Sequence, residues 1–289
     1  VTTLLTVAKG IPVIAFMPDI NKTFGDAAFA LTAPTSNSNG LFSYSTNTPA
    51  VATINGSLVT INGAGFTTIT ISQAASANYN AGSITTTLWV ARANPTIVTQ
   101  PNITRPYGSV PITVNNPISN SPGVFTYSSS DAAVATVSGA TITPVGLGTA
   151  IITATQTATA NYNAGTVTRT ITVIKGTPTF GNFAAINKTF GDAAFTLTAP
   201  TSTSTGTFTY ASDNTAVATV TGSTVTIVGA GTANITATQA SDANYNAGSV
   251  TTILTVAKAA RNLTAFADIN KTTTDAPFTL VAPTSSVEI

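Results

Sequence analysis

Cysteine and histidine are both absent from this sequence of 289 residues, and charged residues are scarce. Without cysteine and histidine, the chain has no disulfide, no thiolate nucleophile, no imidazole acid–base group and no Cys or His ligand for zinc. Charged residues make up 7% of the chain, against roughly 25% in ordinary soluble domains, and the formal net charge is +1. Such a surface attracts a phosphate backbone only weakly, so we expect no nucleic-acid partner.

Long apolar segments are also missing. The longest one, Ile11–Met17, contains Pro12 and is far shorter than the roughly 20 residues that a membrane-spanning helix needs. Glutamate occurs once, at Glu288, so paired carboxylates for acid–base catalysis are scarce as well. The sequence therefore predicts no membrane insertion, no enzymatic activity and no cofactor.

The sequence does contain a long internal repeat. The segment Ala216–Gln239 consists of three short runs rich in Thr, Val and Ile, separated by glycines, and it recurs at Ala133–Gln156 and Ala50–Gln73. The copies are 83 residues apart, without insertion or deletion. A fixed period of this kind indicates a tandem array. Each period contains about seven short strand patterns and no helical periodicity, which is typical of an antiparallel β-sandwich.

Basic residues mark the predicted boundaries at Lys9, Arg92, Lys175 and Lys258. We therefore predict a first repeat at 10–92, a second at 93–175 and a third at 176–258. Residues 1–9 would be the last strand of a preceding repeat, and 259–289 the start of a further, truncated repeat. Short links that contain proline favour a semi-rigid rod.

The pattern AVATV–G–TVTI–GxG–TA–ITAT, which the third repeat carries in full and the other two carry with substitutions, resembles the bacterial immunoglobulin-like group 2 domain. This is the repeat type of intimin/invasin-like adhesins and of other giant repetitive surface proteins. The resemblance implies an all-β fold class, namely tandem immunoglobulin-like antiparallel β-sandwiches of about seven strands each in a linear array. It implies an extracellular, cell-surface location, and it carries no catalytic residues.

Three functions are consistent with these features. The first is a non-catalytic structural stalk or filament segment of a giant surface adhesin, which spaces a binding domain from the surface. The second is a structural fibre or surface-decoration protein of a virus or phage particle, located at the virion surface. The third is a set of repeats that themselves bind glycans. The expected partners are neighbouring repeats, with surface glycans or host proteins bound through other domains, and lateral self-association of chains as further alternatives.

Four aromatic residues are candidate contact residues. The motif Asn-Tyr-Asn-Ala-Gly occurs in every repeat and contains Tyr79, Tyr162 and Tyr245. These tyrosines either bind sugars or pin the loop between the last two strands to the end of the domain. Trp89, the single tryptophan, alternates with Leu88 and Val90, so it should point outward as an incidental exposed aromatic or a contact point.

The few charged side chains give weaker signals. Lys22 and Asp26, with their counterparts in later repeats, should form surface ion pairs of at most about 1 kcal/mol. Arg169 falls where other repeats carry threonine, so it should extend to solvent or mark a bulge. Acidic residues do not cluster at the boundaries, so no regular calcium site is expected.

Seven Asn-x-Ser/Thr sequons are candidate glycosylation sites if the chain matures where Asn-linked glycans are added. They lie at Asn21, Asn55, Asn102, Asn187, Asn234, Asn262 and Asn270.

Overall fold

The structure, a computed structural model, describes residues 2–261 and 263–284, so the sequon at Asn262 lies outside the described residues. All regular elements of the described residues are β-strands. The first repeat contains β1 (Ile20–Thr23), β2 (Phe29–Ala30), β3 (Phe42–Thr46), β4 (Ala52–Asn55), β5 (Leu58–Ile61), β6 (Gly65–Gln73) and β7 (Gly82–Ala91).

The second and third repeats have the same seven strands at the same 83-residue spacing. Those of the second are β8 (Ile103–Pro106), β9 (Ile112–Thr113), β10 (Phe125–Ser129), β11 (Ala135–Ser138), β12 (Thr141–Pro144), β13 (Gly148–Gln156) and β14 (Gly165–Ile174). Those of the third are β15 (Ile186–Thr189), β16 (Phe195–Thr196), β17 (Phe208–Ser212), β18 (Ala218–Thr221), β19 (Thr224–Ile227), β20 (Gly231–Gln239) and β21 (Gly248–Ala257).

Each repeat consists of a four-stranded and a three-stranded sheet. In the first repeat the orders are β1-β7-β6-β3 and β2-β5-β4. The other repeats give β10-β13-β14-β8 with β11-β12-β9, and β15-β21-β20-β17 with β16-β19-β18. This is the strand arrangement of an immunoglobulin-type sandwich, so the predicted all-β fold of tandem immunoglobulin-like domains is confirmed.

The long strands show why these sequences fold as sandwiches. Along β7, Thr86, Leu88 and Val90 are buried, while the residues between them are half-buried or exposed. Ile69 and Ile71 of β6 are fully buried. Because side chains alternate between the two faces of a strand, each Thr/Val/Ile run places one apolar face in the core and one hydroxyl-rich face in water.

Two details differ from the sequence-based expectation. In the first and third repeats the first strand runs parallel to the last, as in β1 with β7, where Ile20 pairs with Leu88. The predicted antiparallel sandwich did not include this parallel pair. Residues 2–9 carry a strand pattern but form no strand, and Leu5 and Val7 are exposed. In the described part of the chain these residues have no neighbouring strand with which to pair, and strand stability depends on such pairs.

The described chain comprises two compact units. One contains the residues up to Arg105 together with Val110–Thr172. The other contains Pro106–Ser109 and the residues from Val173 onward. The first repeat lies entirely in the first unit and the third repeat entirely in the second, whereas the second repeat contributes to both.

A buried glutamine at the end of each sixth strand was not anticipated from the sequence. Gln73 is 1% exposed, and its Oε1 accepts a hydrogen bond from the Ser36 hydroxyl at 2.7 Å. Its Nε2 donates to the carbonyls of Ser38 and Gly40, both at 3.0 Å. Gln156 and Gln239 make the same three contacts in their own repeats. The amide therefore fastens the loop between the second and third strands to the core.

Arg169 breaks a hydrogen bond that the other repeats make. Thr86 donates its hydroxyl to the Pro18 carbonyl at 2.8 Å, and Thr252 donates to the Ala184 carbonyl at 2.9 Å. Arg169 stays half-buried beside Tyr127, and its Nη2 is buried without a hydrogen-bond partner. Burial lowers the pKa of this guanidinium, against a smaller opposing effect of Tyr127.

We expect Arg169→Thr to stabilise the second repeat by about 1 kcal/mol, because it restores one hydrogen bond and removes a poorly solvated charge. Calorimetric unfolding, together with hydrogen exchange of the β14 amides, would measure the gain. Arg169→Lys is the matched control: it keeps a charged stem at this position and should not raise stability. Equal stability of Arg169→Thr and the parent chain would contradict the prediction.

Candidate functional site: the joint between repeats

The loop between the last two strands of each repeat binds the residue that opens that repeat. In the first repeat, the Gly10 N–H donates to the Asn78 carbonyl at 2.9 Å, and the Asn80 N–H donates to the Gly10 carbonyl at 2.8 Å. The same two bonds join Ala93 to the loop 161–163 and Gly176 to the loop 244–246. We call 78–80, 161–163 and 244–246 the docking loops.

The basic residue at three of the four predicted boundaries strengthens this attachment. Lys9 donates its Nζ to the Ser76 carbonyl at 2.8 Å, and Lys175 donates to the Asp242 carbonyl at 2.6 Å. Arg92 donates its Nε to the Ala160 carbonyl at 3.3 Å. Each link between repeats is therefore held by backbone and side-chain bonds to the loop of the repeat that follows it.

Two of the three docking-loop tyrosines pack against the preceding repeat. The ring of Tyr162 meets that of Phe24 edge to face, with centroids 5.5 Å apart and an interplanar angle of 79°. The ring of Tyr245 meets that of Tyr107 in the same way, at 5.4 Å and 88°. Phe24 and Tyr107 occupy equivalent positions, directly after the first strand of their repeats. Edge-to-face packing of this kind is favourable by about 0.5–1.5 kcal/mol beyond the area that it buries.

A side-chain hydrogen bond adds to the aromatic contact between the first and second repeats. The Ala64 N–H donates to the Oδ1 of Asn161 at 2.9 Å. Ala64 follows Gly63 in the turn before β6, and a Cβ built on Gly63 would lie 3.4 Å from that same oxygen. Phe24, Gly63 and Ala64 thus form a small acceptor surface for the docking loop of the second repeat.

The sequence left two roles open for the tyrosines, sugar binding and pinning of the loop to the domain end, and both stay predictions. Tyr162 and Tyr245 are half-buried and contact a neighbouring repeat, and the ring of Tyr245 also lies beside Gly176 of its own repeat, where a Cβ would be 3.1 Å from a ring carbon. In the first repeat, the ring of Tyr79 lies beside Gly10, where a Cβ would be 3.4 Å from its ring carbons. The joint between repeats is therefore the site that these side chains build.

Asp242 stabilises the docking loop of the third repeat. Its carboxylate accepts hydrogen bonds from the N–H groups of Thr205, Asn244 and Tyr245 at 2.8, 2.8 and 2.7 Å. The hydroxyls of Ser204 and Thr205 donate to it at 3.0 Å. These donors, the Thr205 N–H first among them, hold the pKa of the Asp242 carboxyl well below its ordinary value, despite the opposing effect of burial.

We expect the third repeat to lose stability as the pH falls below about 4, where an unfolded aspartate takes up its proton. A folded-state pKa below the unfolded one contributes stability above the unfolded pKa, and this contribution disappears during acidification. Hydrogen exchange of the β20 and β21 amides between neutral and acid pH would measure the loss.

The control for this prediction is Asp242→Ser, because serine stands at the equivalent position 76. Part of the acid sensitivity should remain in this variant, since Asn234 also lowers the pKa of Asp213 in the same repeat. An acid sensitivity identical in the parent and in Asp242→Ser would contradict a role for Asp242.

Trp89 points outward, as its alternation with Leu88 and Val90 predicts, but it is not isolated. It is 48% exposed and pairs across the strands with Phe66, which is 61% exposed. The two ring centroids are 5.2 Å apart. Sequence reasoning missed Phe66, although the repeats reveal it, since threonine occupies the equivalent positions of both aromatic residues in the second and third repeats. The first repeat therefore carries an aromatic pair that the others lack.

The predicted surface ion pairs are wrong. The Nζ of Lys22 lies 4.7 Å from the ring centroid of Phe29. The carboxylate of Asp26 accepts the Thr23 N–H at 2.8 Å instead, and no ion pair between Lys22 and Asp26 occurs in the described structure. The equivalent lysines Lys188 and Lys271 also lie over phenylalanine rings. The ring faces and the turn N–H groups compete successfully with a solvent-exposed ion pair.

Six of the seven sequon asparagines fall on described residues, and all six are exposed. Two of the six side chains are already bonded. Asn102 accepts the Thr170 N–H at 2.9 Å, and Asn234 donates its amide to Asp213 at 2.7 Å. The four others are Asn21, Asn55, Asn187 and Asn270. Whether any of them is glycosylated stays a prediction.

Residues 2–261 and 263–284 contain no group of three or more acidic side chains that could hold a metal ion. Over the same residues, no helix is long and apolar enough to cross a membrane.

No protein-family model and no curated protein matches the sequence. Solved structures do resemble the fold. Domains EC1-3 of Drosophila N-cadherin are 11% identical with a TM-score of 0.32, covering 84% of this chain and 99% of that one. The insect immune protein hemolin, described with implications for homophilic adhesion, is 12% identical with a TM-score of 0.33, covering 86% and 76%. Extracellular domains 3–5 of Drosophila OTK are 10% identical with a TM-score of 0.31, covering 88% and 97%. At these identities the likeness concerns the fold alone.

Proposed function

We propose that this chain is a non-catalytic spacer segment of a giant extracellular surface adhesin, built from bacterial immunoglobulin-like group 2 repeats. It holds a binding domain at a distance from the surface that carries it. The repeats serve this role through their joints, each of which restrains the backbone that passes from one repeat into the next.

The observation that carries this proposal is the recurrence of the joint. Both described joints use an edge-to-face ring pair across the repeats. Both also use two backbone hydrogen bonds that clamp the link residue, Ala93 in one and Gly176 in the other. A flexible tether needs no such contacts, whereas a spacer gains reach when each joint has few accessible orientations. The surface carries few charges, and its exposed strand faces consist largely of the same hydroxyl-bearing residues in each repeat. Both features are consistent with a passive scaffold.

A distance measurement between the first two repeats tests the joint. Because the chain has no cysteine, spin labels can be attached at Ser43→Cys and Thr126→Cys, two exposed and equivalent positions. We expect a narrow distribution of label distances by double electron–electron resonance in the full chain. Tyr162→Ala should broaden this distribution, since it removes the ring that packs against Phe24.

The matched control is Tyr79→Ala. It makes the same change in the same motif but leaves the joint between the first two repeats intact. A distribution that is already broad in the parent chain, or one that Tyr162→Ala leaves unchanged, would contradict the spacer proposal.

A structural fibre or surface-decoration protein of a virus or phage would need the same joints. The sequence on either side of this segment would distinguish an adhesin from a virion protein. A secretion signal with a cell-wall or secretion-system anchor supports the adhesin, whereas capsid- or tail-binding domains support the virion protein.

The exposed aromatic pair supports glycan binding as a second candidate function, confined to the first repeat. Phe66 and Trp89 offer adjacent ring faces, and Trp89 lines a depression of about 410 Å³ with Asn21, Lys22 and Asp26. Exposed apolar patches edged by polar groups often mark ligand contacts. A glycan array with the full chain and with Trp89→Thr, which introduces the residue of the third repeat, tests this function. Binding that is absent, or equal in both proteins, would exclude it.

A further inference from the structure

Asparagine is followed directly by glycine at three places in this chain, and all three lie in the first repeat. The asparagines of these pairs are Asn39, Asn55 and Asn62. Asparagine before glycine is chemically labile, because glycine has no side chain to keep its backbone nitrogen away from the Cγ of the asparagine. The structure shows that the three pairs differ in how firmly the reacting groups are held.

The pair at Asn62 is held by hydrogen bonds on both of its reacting groups. The Asn62 Nδ2 donates to the Pro49 carbonyl at 2.8 Å and to the Thr53 hydroxyl at 3.3 Å. The Gly63 N–H donates to the Val51 carbonyl at 3.2 Å, and Gly63 is buried. The amide and the nitrogen that would attack it are therefore both engaged elsewhere.

The pair at Asn39 is held through its glycine. The Gly40 N–H donates to the Ser38 hydroxyl at 3.3 Å, and the Gly40 carbonyl accepts from Gln73 at 3.0 Å. The backbone of Gly40 also lies directly over that of Ala74. Rotation of this glycine toward the Asn39 side chain would break these contacts.

The pair at Asn55 has no such restraint. Asn55 ends β4 and Leu58 begins β5, so Gly56 and Ser57 form a two-residue hairpin turn. In such a turn the bonds between the strands join the flanking residues and leave the first turn N–H without a backbone partner. Within residues 2–261 and 263–284, neither the Asn55 amide nor the Gly56 N–H makes a hydrogen bond. Asn55 is exposed, and a Cβ on Gly56 would meet nothing within 4 Å.

We propose that Asn55 is a spontaneous modification site, at which asparagine is converted to aspartate and isoaspartate. The Gly56 nitrogen forms a bond to the Asn55 Cγ, and the bond from Cγ to Nδ2 breaks. The leaving Nδ2 takes up the proton lost by the Gly56 nitrogen and departs as ammonia, which leaves a five-membered cyclic imide. Water then adds to one imide carbonyl, and the bond from that carbon to the Gly56 nitrogen breaks as the nitrogen regains a proton.

The two products differ in which imide carbonyl water attacks. Attack at the side-chain carbonyl gives aspartate, whereas attack at the main-chain carbonyl gives isoaspartate, whose backbone runs through Cγ and is longer by a methylene. The longer turn disturbs the pairing of Asn55 with Leu58, because turn geometry sets the register of a hairpin. It also displaces the Ser57 carbonyl, which accepts the Leu31 N–H at 2.8 Å. The modification therefore loosens the three-stranded sheet of the first repeat.

Peptide mass mapping of the full chain, after incubation in warm, mildly alkaline water enriched in heavy oxygen, tests the proposal. The chain should come from a host without Asn-linked glycosylation, because Asn55 also begins a sequon. We expect position 55 to acquire heavy oxygen at least about ten-fold faster than Asn39 or Asn62, because the groups held at those pairs must first separate. In the urea-unfolded chain the three positions should react at similar rates, which isolates the effect of the fold.

The second repeat provides matched variants. Asn55→Ser introduces the residue of the equivalent position 138 and should abolish the reaction in this turn. Ser138→Asn places the labile pair in the second repeat, where Gly139 has a φ of +57° and a Cβ would again meet nothing within 4 Å. This variant should gain a second site that reacts within a few-fold of the rate at position 55.

Two results would overturn the proposal. One is a folded chain in which Asn39 or Asn62 reacts as fast as Asn55, or in which Asn55 stays intact while the unfolded chain is fully converted. The other is a folded Ser138→Asn chain whose new asparagine does not react, since the two turns share the same local geometry.

Discussion

Gln73→Leu is expected to destabilise the first repeat by about 3 kcal/mol, because three polar groups on half-buried residues each lose a hydrogen bond worth about 1 kcal/mol. The Ser36 hydroxyl loses its acceptor, and the carbonyls of Ser38 and Gly40 lose their donor. Leucine recovers part of this loss through its apolar surface, since position 73 is 1% exposed.

The single tryptophan allows this loss to be assigned to one repeat. Trp89 lies on β7 of the first repeat, so its fluorescence reports the unfolding of that repeat during a urea titration. Gln156→Leu is the matched control, because Gln156 makes the same contacts in the second repeat. That variant should shift the overall circular dichroism transition more than the Trp89 transition. A free energy of unfolding for Gln73→Leu within about 0.5 kcal/mol of the parent value would refute the structural role of this amide.

The sandwich fold was predictable because its signal is local and is repeated. Alternating residues such as Leu88 and Val90 specify which face of a strand is buried, and the constant 83-residue spacing shows that every copy has the same elements. The strand β20 ends at Gln239, the last residue of the repeated segment Ala216–Gln239. Constant spacing does not reveal the direction of pairing, so the parallel contact of the first and last strands went unpredicted.

The joint was not predictable because its partners lie in different repeats. Tyr162 meets Phe24 across 138 positions of sequence, and no periodic pattern indicates whether a repeated tyrosine packs within its own repeat or on a neighbour. The buried glutamines were missed for a related reason. In β20 the alternation places Gln239 on the same inner face as Ile235 and Ala237, but it does not reveal the loop carbonyls that the amide bonds there. Both features depend on where a loop folds back.

Gly40→Ala is expected to have the largest effect of any single substitution considered, with a cost above about 4 kcal/mol. The chain at Gly40 lies directly over the backbone of Ala74, so a Cβ there would sit deep inside the van der Waals radius of the Ala74 carbonyl oxygen. Neither the backbone at Gly40 nor the backbone at Ala74 can move freely. The Gly40 carbonyl is bonded to Gln73, and the Ala74 N–H donates to the Leu41 carbonyl at 2.9 Å.

Gly56→Ala is the matched control in the same repeat. Gly56 has a φ of +61°, but a Cβ there would meet nothing within 4 Å. This variant should lose only the roughly 1–2 kcal/mol that a left-handed backbone costs an L-residue. Both variants can be compared by the urea midpoint of Trp89 fluorescence. Because Gly123 and Gly206 approach Thr157 and Ala240 in the same way, the crowding belongs to the fold of every repeat. Equal midpoints for Gly40→Ala and Gly56→Ala would mean that the loop can withdraw from the core, and the buried glutamine could not then hold it as the structure indicates.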